Sequence, residues 1–202
     1  MDVNERLTDE NFPAEPEKTT LEGKNKFLGF WFFLGGETVL FASLFGTFLA
    51  LRDSTTESEL YQLPLVFGAT MILLTSSLTS VYAMYHMKNN NFMKMQLWLG
   101  ITVLLGVTFL GIEVYEFMHY VHEGLLFTSN GYSASFYALV GTHGAHVLLG
   151  VCWITALIFR NMKRGLTLYN APKYYVASLY WHFIDVVWVF IFTVVYLIGK
   201  LG

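Results

Sequence analysis

The chain has 202 residues, of which 54% are hydrophobic and only 13% charged, about half the charged share of a soluble domain. A net charge of −3 excludes a nucleic-acid footprint. The single cysteine, Cys152, excludes an intrachain disulfide or a thiolate-held metal cluster, and it reads as a small buried apolar residue.

Residues 1–26 hold seven of the fifteen acidic residues and no apolar run. They read as a polar tail that builds no core and stays disordered until something holds it. No cleavable signal peptide is visible, so the first apolar block is expected to be its own insertion signal. Five such blocks follow, at about 27–51, 63–85, 95–117, 132–159 and 174–199, each long enough to cross a hydrocarbon layer of about 30 Å as a helix. The expected fold class is therefore all-α, an integral membrane bundle of five transmembrane helices over residues 27–202. Ten of the twelve Lys and Arg residues lie in the tail and the second and fourth loops, and only Arg52 and Lys200 on the other side. By the positive-inside rule the N-terminus is cytoplasmic and the C-terminus outside.

Short connections predict an antiparallel up-down bundle in which sequence neighbours mostly pack together. Pro64 and Pro172 stand at helix starts, where the missing N–H costs nothing. Ala42, Gly46 and Ala50 in the first block, with Gly141 and Ala145 in the fourth, are spaced to let backbones approach. No internal repeat or mid-membrane Gly/Pro break is seen, although both are expected of a secondary transporter.

Seven titratable residues fall within the blocks: Glu37, Glu113, Glu116, His143, His146, His182 and Asp185. A central Asp costs about 2.5–3.5 kcal/mol on insertion scales, so each should face protein or water. Counting from the block ends puts Glu37, His146 and Asp185 at one depth near the midplane, which predicts a shared polar cluster. His143 and His146 share a helix face, as do His182 and Asp185, and Asp185 can accept from His182 or from a neighbouring helix. Structural polar packing is the leading reading. Metal binding by His143, His146, His182, Asp185 and Glu37, haem ligation, or a proton relay through Glu37 compete with it. In "EFMHYVHEG", Glu116, His119, His122 and Glu123 read as a solvated third loop rather than a surface zinc site.

"FYALVGTHGAHVLLG" (136–150) and "YWHFIDVVWVFIFTVVYL" (180–197) resemble the two signature stretches of subunit III of haem–copper oxidases. "GFWFFLGGETVLFASLF" (29–45) is similar to the family's glutamate-bearing helix, and "LGIEVYEF" (110–117) to its next motif. The likeness runs from Lys24 onward and is strongest to the Gram-positive bacterial, caa3-type branch.

The resemblance implies an accessory subunit of a proton-pumping cytochrome c oxidase in the bacterial plasma membrane. Such a subunit carries no redox centre and no metal, since haem and copper belong to partner subunits. The implied partners are subunit I as the main contact, subunit II, a small subunit IV and bound phospholipid. The family's carbodiimide-reactive glutamate corresponds to Glu37, its paired motif histidines to His143 and His146, and its last-helix aspartate to Asp185. Its lipid-phosphate arginine corresponds to Arg160, with acyl chains against aromatics such as Phe33. The longer members have seven helices and the first span here matches their third, so half of the lipid cleft is expected from another chain. A menaquinol oxidase shares these motifs; a stand-alone membrane metalloenzyme or a transporter are the readings from other classes.

Overall fold

Apolar chain in hydrocarbon satisfies its own N–H and C=O groups only as helix or closed barrel. The computed structural model describes residues 6–8, 12–52 and 62–198, and within them every regular element is helical. The helices are α1 (Leu21–Ala50), α2 (Leu63–Lys88), α3 (Phe92–His122), α4 (Gly131–Asn161) and α5 (Ala171–Ile191). A π-helical turn, Phe192–Leu197, continues α5. All five are long and apolar enough to cross a membrane. Thr20 caps α1 by accepting from Gly23 N, and Asn130 with Ser133 forms a reciprocal capping box on α4. Pro64 and Pro172 occupy the first turns of α2 and α5, as expected.

Sequence neighbours pack together from α2 to α5, as expected, and the exception is α1. α2, α3, α4 and α5 close a ring, with α5 returning onto α2. α1 lies outside that ring and leans on α4 and α5 rather than on α2, its sequence neighbour. Its buried residues form one narrow stripe, Phe30, Leu34, Phe41 and Phe48, while Phe32 and Val39 on its other faces are 76% and 70% exposed. The central helix is α5: half of its most apolar window (50%) is buried within the chain, against 17% for α1.

Hydroxyl and indole contacts fix how α5 lies on α2. The Trp181 and Trp188 indole N–H groups donate to Ser76 Oγ and Thr70 Oγ1, each at 3.0 Å. Ser80 and Ser178 hydroxyls meet at 2.8 Å. Residue numbers rise along α5 as they fall along α2, so the two helices are antiparallel. Between α2 and α3, Thr79 and Thr102 hydroxyls pair at 2.8 Å.

The expected close-approach residues are not the ones used. Gly46 has no atom within 4 Å of a would-be Cβ, and Gly141 has only Phe117, at 3.8 Å. Close approach occurs instead at Gly106 and Gly150, where Trp181 lies 2.6 Å and 3.0 Å from a would-be Cβ. The Trp181 ring needs that room on both sides, and spacing alone does not reveal which glycines supply it. Cys152 is likewise not buried but faces outward from α4.

The polar tail, expected over 1–26, lies partly outside the described residues, as do Lys200 and the last residue of the fifth block. Helix α1 already begins at Leu21, and what holds the tail is the α4–α5 loop. Leu7, only 4% exposed, donates its N–H to Leu166 O at 2.9 Å, and Arg6 bridges Thr167. Gly165 turns with φ +74°, and any Cβ there would strike the Arg6 side chain at 2.8 Å. Glu17 is buried beside Lys88 of α2, 3.8 Å away.

Candidate functional site

The titratable residues of the spans sit on three elements of the inner bundle and on α1. Glu37 and His146 meet across α1 and α4, with Glu37 Oε2 at 2.9 Å from His146 Nε2. Nδ1 of the same ring lies 2.7 Å from Thr142 O, a carbonyl that can only accept, so Nδ1 carries hydrogen. The 2.9 Å contact therefore holds one proton, either as carboxylic acid on neutral imidazole or as carboxylate on imidazolium. In both forms the pair is neutral overall, which suits a half-buried place in hydrocarbon. Phe41 packs on the imidazole at 5.1 Å, and Tyr180 OH donates to His146 O at 3.2 Å.

His143 is fully buried, its Nε2 donating to Ile184 O at 3.3 Å. Its ring rests 4.9 Å from Trp188 and 5.9 Å from Phe109. His182 does not pair with Asp185. Its Nδ1 meets Ser77 Oγ at 2.7 Å and its Nε2 faces Ser178 Oγ at 3.4 Å, joining the serine contacts between α2 and α5. Asp185 is 4% exposed and neither carboxyl oxygen has a hydrogen-bond partner. Ser77 lies beside it, with its Oγ in contact with His182 Nδ1. The polar layer is thus one joined pair, Glu37–His146, beside His143, His182 and Asp185 held separately. Among the described residues no three His, Cys, Asp or Glu side chains gather as a metal site.

Two carboxyls outside the expected cluster are as deeply placed. α3 runs on to His122, so "EFMHYVHEG" is mostly helix rather than loop. Glu116 is 3% exposed, accepts from Tyr120 OH one turn on, and faces Tyr196 OH of the π-helical turn at 3.5 Å. His119 meets Gln62 at 2.9 Å. Glu113 is 5% exposed and its carboxyl lies over Gly144, where a Cβ would come within 2.6 Å of Oε2. The signal for both was present in the Glu-x-x-Glu spacing, with a tyrosine four residues beyond Glu116.

At the end of the bundle that carries the tail, Arg160 is exposed in the last turn of α4. Lys173 Nζ sits 3.4 Å over the Tyr169 ring, with Lys26 at 5.1 Å. The Tyr169 hydroxyl is held below its ordinary pKa chiefly by the hydrogen bond and charge of Lys173, with Arg160 and Lys26 adding to it. Below this cluster a groove of about 240 Å³ runs between α1, α4 and α5, lined by Lys26, Phe30, Trp153, Pro172, Lys173 and Val176. Phe33 stacks on Phe30 at its edge, ring centroids 5.7 Å apart.

Five apolar helices around a layer of buried ionisable side chains define a polytopic α-helical membrane protein. The family model for cytochrome c oxidase subunit III matches residues 9–200, and the chain belongs to that family. It is 70% identical over 207 aligned positions to the cytochrome c oxidase subunit 3 of Bacillus sp. (strain PS3), covering 100% of both chains. The same identity and coverage hold for the cytochrome c oxidase subunit 3 of Bacillus subtilis (strain 168). The probable quinol oxidase subunit 3 of Staphylococcus saprophyticus is 51% identical over 183 residues, 88% of this chain and 91% of that one.

Proposed function

We propose that this chain serves as the accessory, non-redox subunit III of a proton-pumping haem–copper cytochrome c oxidase in a bacterial plasma membrane. The observation that carries this is identity of 70% along the whole length to chains named cytochrome c oxidase subunit 3. Haem and copper would then reside in subunits I and II, with subunit I as the main contact and a small subunit IV as a further partner. In this reading the N-terminus lies on the cytoplasmic side, which the ten-to-two split of basic residues supports. Menaquinol as donor is the second reading, favoured by the 51% identity to a probable quinol oxidase subunit.

In this role the residues do not perform redox chemistry. Glu37 and His146 share a hydrogen bond at mid-membrane depth, on the face where α1 meets α4. His143 ties α4 to α5 and His182 ties α5 to α2, with Asp185 buried beside them. Arg160, Lys26 and Lys173 gather positive charge at headgroup level, where a phospholipid phosphate would be held by charge-assisted hydrogen bonds. The groove beside Phe30, Trp153 and Phe33 would take an acyl chain.

The test is purification through a tag on this chain. The expected result is a complex with haem and copper that consumes oxygen with reduced cytochrome c faster than with a menaquinol analogue, while the separated chain retains neither metal. A chain that purifies without haem-bearing subunits would overturn the reading, and preference for quinol would select the second donor.

A further inference from the structure

Glu113 has a carboxyl oxygen, Oε1, that is buried and bonded to nothing. It differs in this from Glu116 one turn away, which Tyr120 and Tyr196 serve. Glu113 lines a furrow on the outer face of the bundle, between α3 and α4. Two stretches of that furrow, about 270 Å³ and 320 Å³, share Val114 and Phe117 and so form one groove. Its α3 wall is Leu110, Glu113, Val114, Phe117, Met118 and Val121, with His122 at one end, and its α4 wall is Tyr137, Gly141, Gly144, Ala145 and Leu148. Both walls repeat at three- and four-residue steps over about 16 Å, or three helical turns at ~1.5 Å per residue.

That shape selects the occupant. Gly141 and Ala145 are small residues facing out of the bundle, where they give no close approach within this chain. In lipid, small residues let a second helix come near. An acyl chain would fill the groove but brings no hydrogen-bond donor to Glu113. Among structures that span hydrocarbon with their own backbone satisfied, a helix brings one on a side chain.

We propose that the α3–α4 groove docks a transmembrane helix of another oxidase subunit, which places a hydroxyl, amide or indole N–H donor on the Glu113 carboxyl. The proposal rests on the subunit III reading and adds to it the face and the residue.

The experiment purifies the oxidase through a tag on its haem-bearing subunit I and measures the amount of this chain retained. Gly141→Leu fills the groove, yet its first side-chain atom meets only Phe117 at an ordinary 3.8 Å, so the chain's own fold is spared. Glu113→Leu removes the acceptor, and Glu113→Gln keeps a hydrogen-bonding group of the same size. Gly68→Leu on α2, a position with no atom within 4 Å, is the control. Chain level in membranes before purification, read by immunoblot, normalises every variant. Retention at least five-fold below wild type for Gly141→Leu and Glu113→Leu, with Glu113→Gln and Gly68→Leu near wild type, is the expected result. Full retention of Gly141→Leu and Glu113→Leu would overturn the proposal. So would unchanged retention with loss of phospholipid from the complex, which assigns the groove to an acyl chain, or a drop from two copies of this chain to one, which assigns it to a self-contact. Wild-type co-purification reports separately on the subunit reading, and its absence would overturn both.

Discussion

At the scale of single residues, the most informative contact is Glu37 with His146, because the carbonyl of Thr142 decides where one hydrogen lies. A side-chain hydrogen bond between membrane helices contributes about 0.6 kcal/mol on average and up to ~1.7. The cycle of Glu37→Leu, His146→Leu and the double variant should give a coupling energy in that range, with the double less destabilised than the sum of the singles. Strictly additive unfolding energies in detergent would show that the two side chains do not support each other. This pair was legible in the sequence, since both residues count to the same depth in their spans. The rest of the cluster was not. His182 finds hydroxyls on α2 rather than the aspartate three residues away, and nothing in the α5 sequence announces Ser77. Glu113 was visible as a costly residue, but its neighbour Gly144 comes from another helix.

Between elements, packing in lipid depends on close fit more than on apolar contrast, because hydrocarbon is as apolar as a leucine side chain. Gly106 shows the fit at its tightest. Gly106→Ala would drive a methyl into the Trp181 ring, 2.6 Å away, at a cost of about 1–3 kcal/mol. Gly46→Ala on α1 meets open space and should be neutral or stabilising by up to about 1 kcal/mol. Thermal unfolding of the two variants in one detergent checks the pair, and equal midpoints would mean that Trp181 shifts freely. The existence and length of all five helices could be read from the sequence because each is an uninterrupted apolar run. Their neighbours could not, since a helix that is apolar all round does not declare which face meets protein. The closing of the ring by α5 on α2 is carried by indole and hydroxyl bonds whose partners lie about a hundred residues apart.

Over the whole molecule, two features tie the tail-bearing end together. The strap at Arg6–Leu7 crosses to the α4–α5 loop, and Leu7 is buried there. Leu7→Asp would place a charge in that site, so limited proteolysis should cut the tail several-fold faster while the helices stay intact. An unchanged cutting rate would mean that the strap is held elsewhere. The second feature is the cationic cluster around Tyr169, to which Arg160 contributes. Arg160→Ala should leave the fold and initial oxidase activity nearly intact while lowering phospholipid per complex and shortening the span of turnover. Mass spectrometry of retained lipid together with activity over many turnovers measures both, and no change in either would reduce Arg160 to an interface anchor.

The position of α1 outside the ring has a consequence in time. Ribosomes deliver the chain from its N-terminus, so α1 enters the membrane first, but the helices it rests on are made last. Glu37 and its imidazole partner are 109 residues apart. At roughly 5–20 residues per second, the interval between them is about 5–20 s. For that interval the nascent α1 must hold a solitary acidic side chain in hydrocarbon on the strength of its own apolar length. The bundle is therefore assembled by a wait, and the carboxyl that ends up shared begins alone.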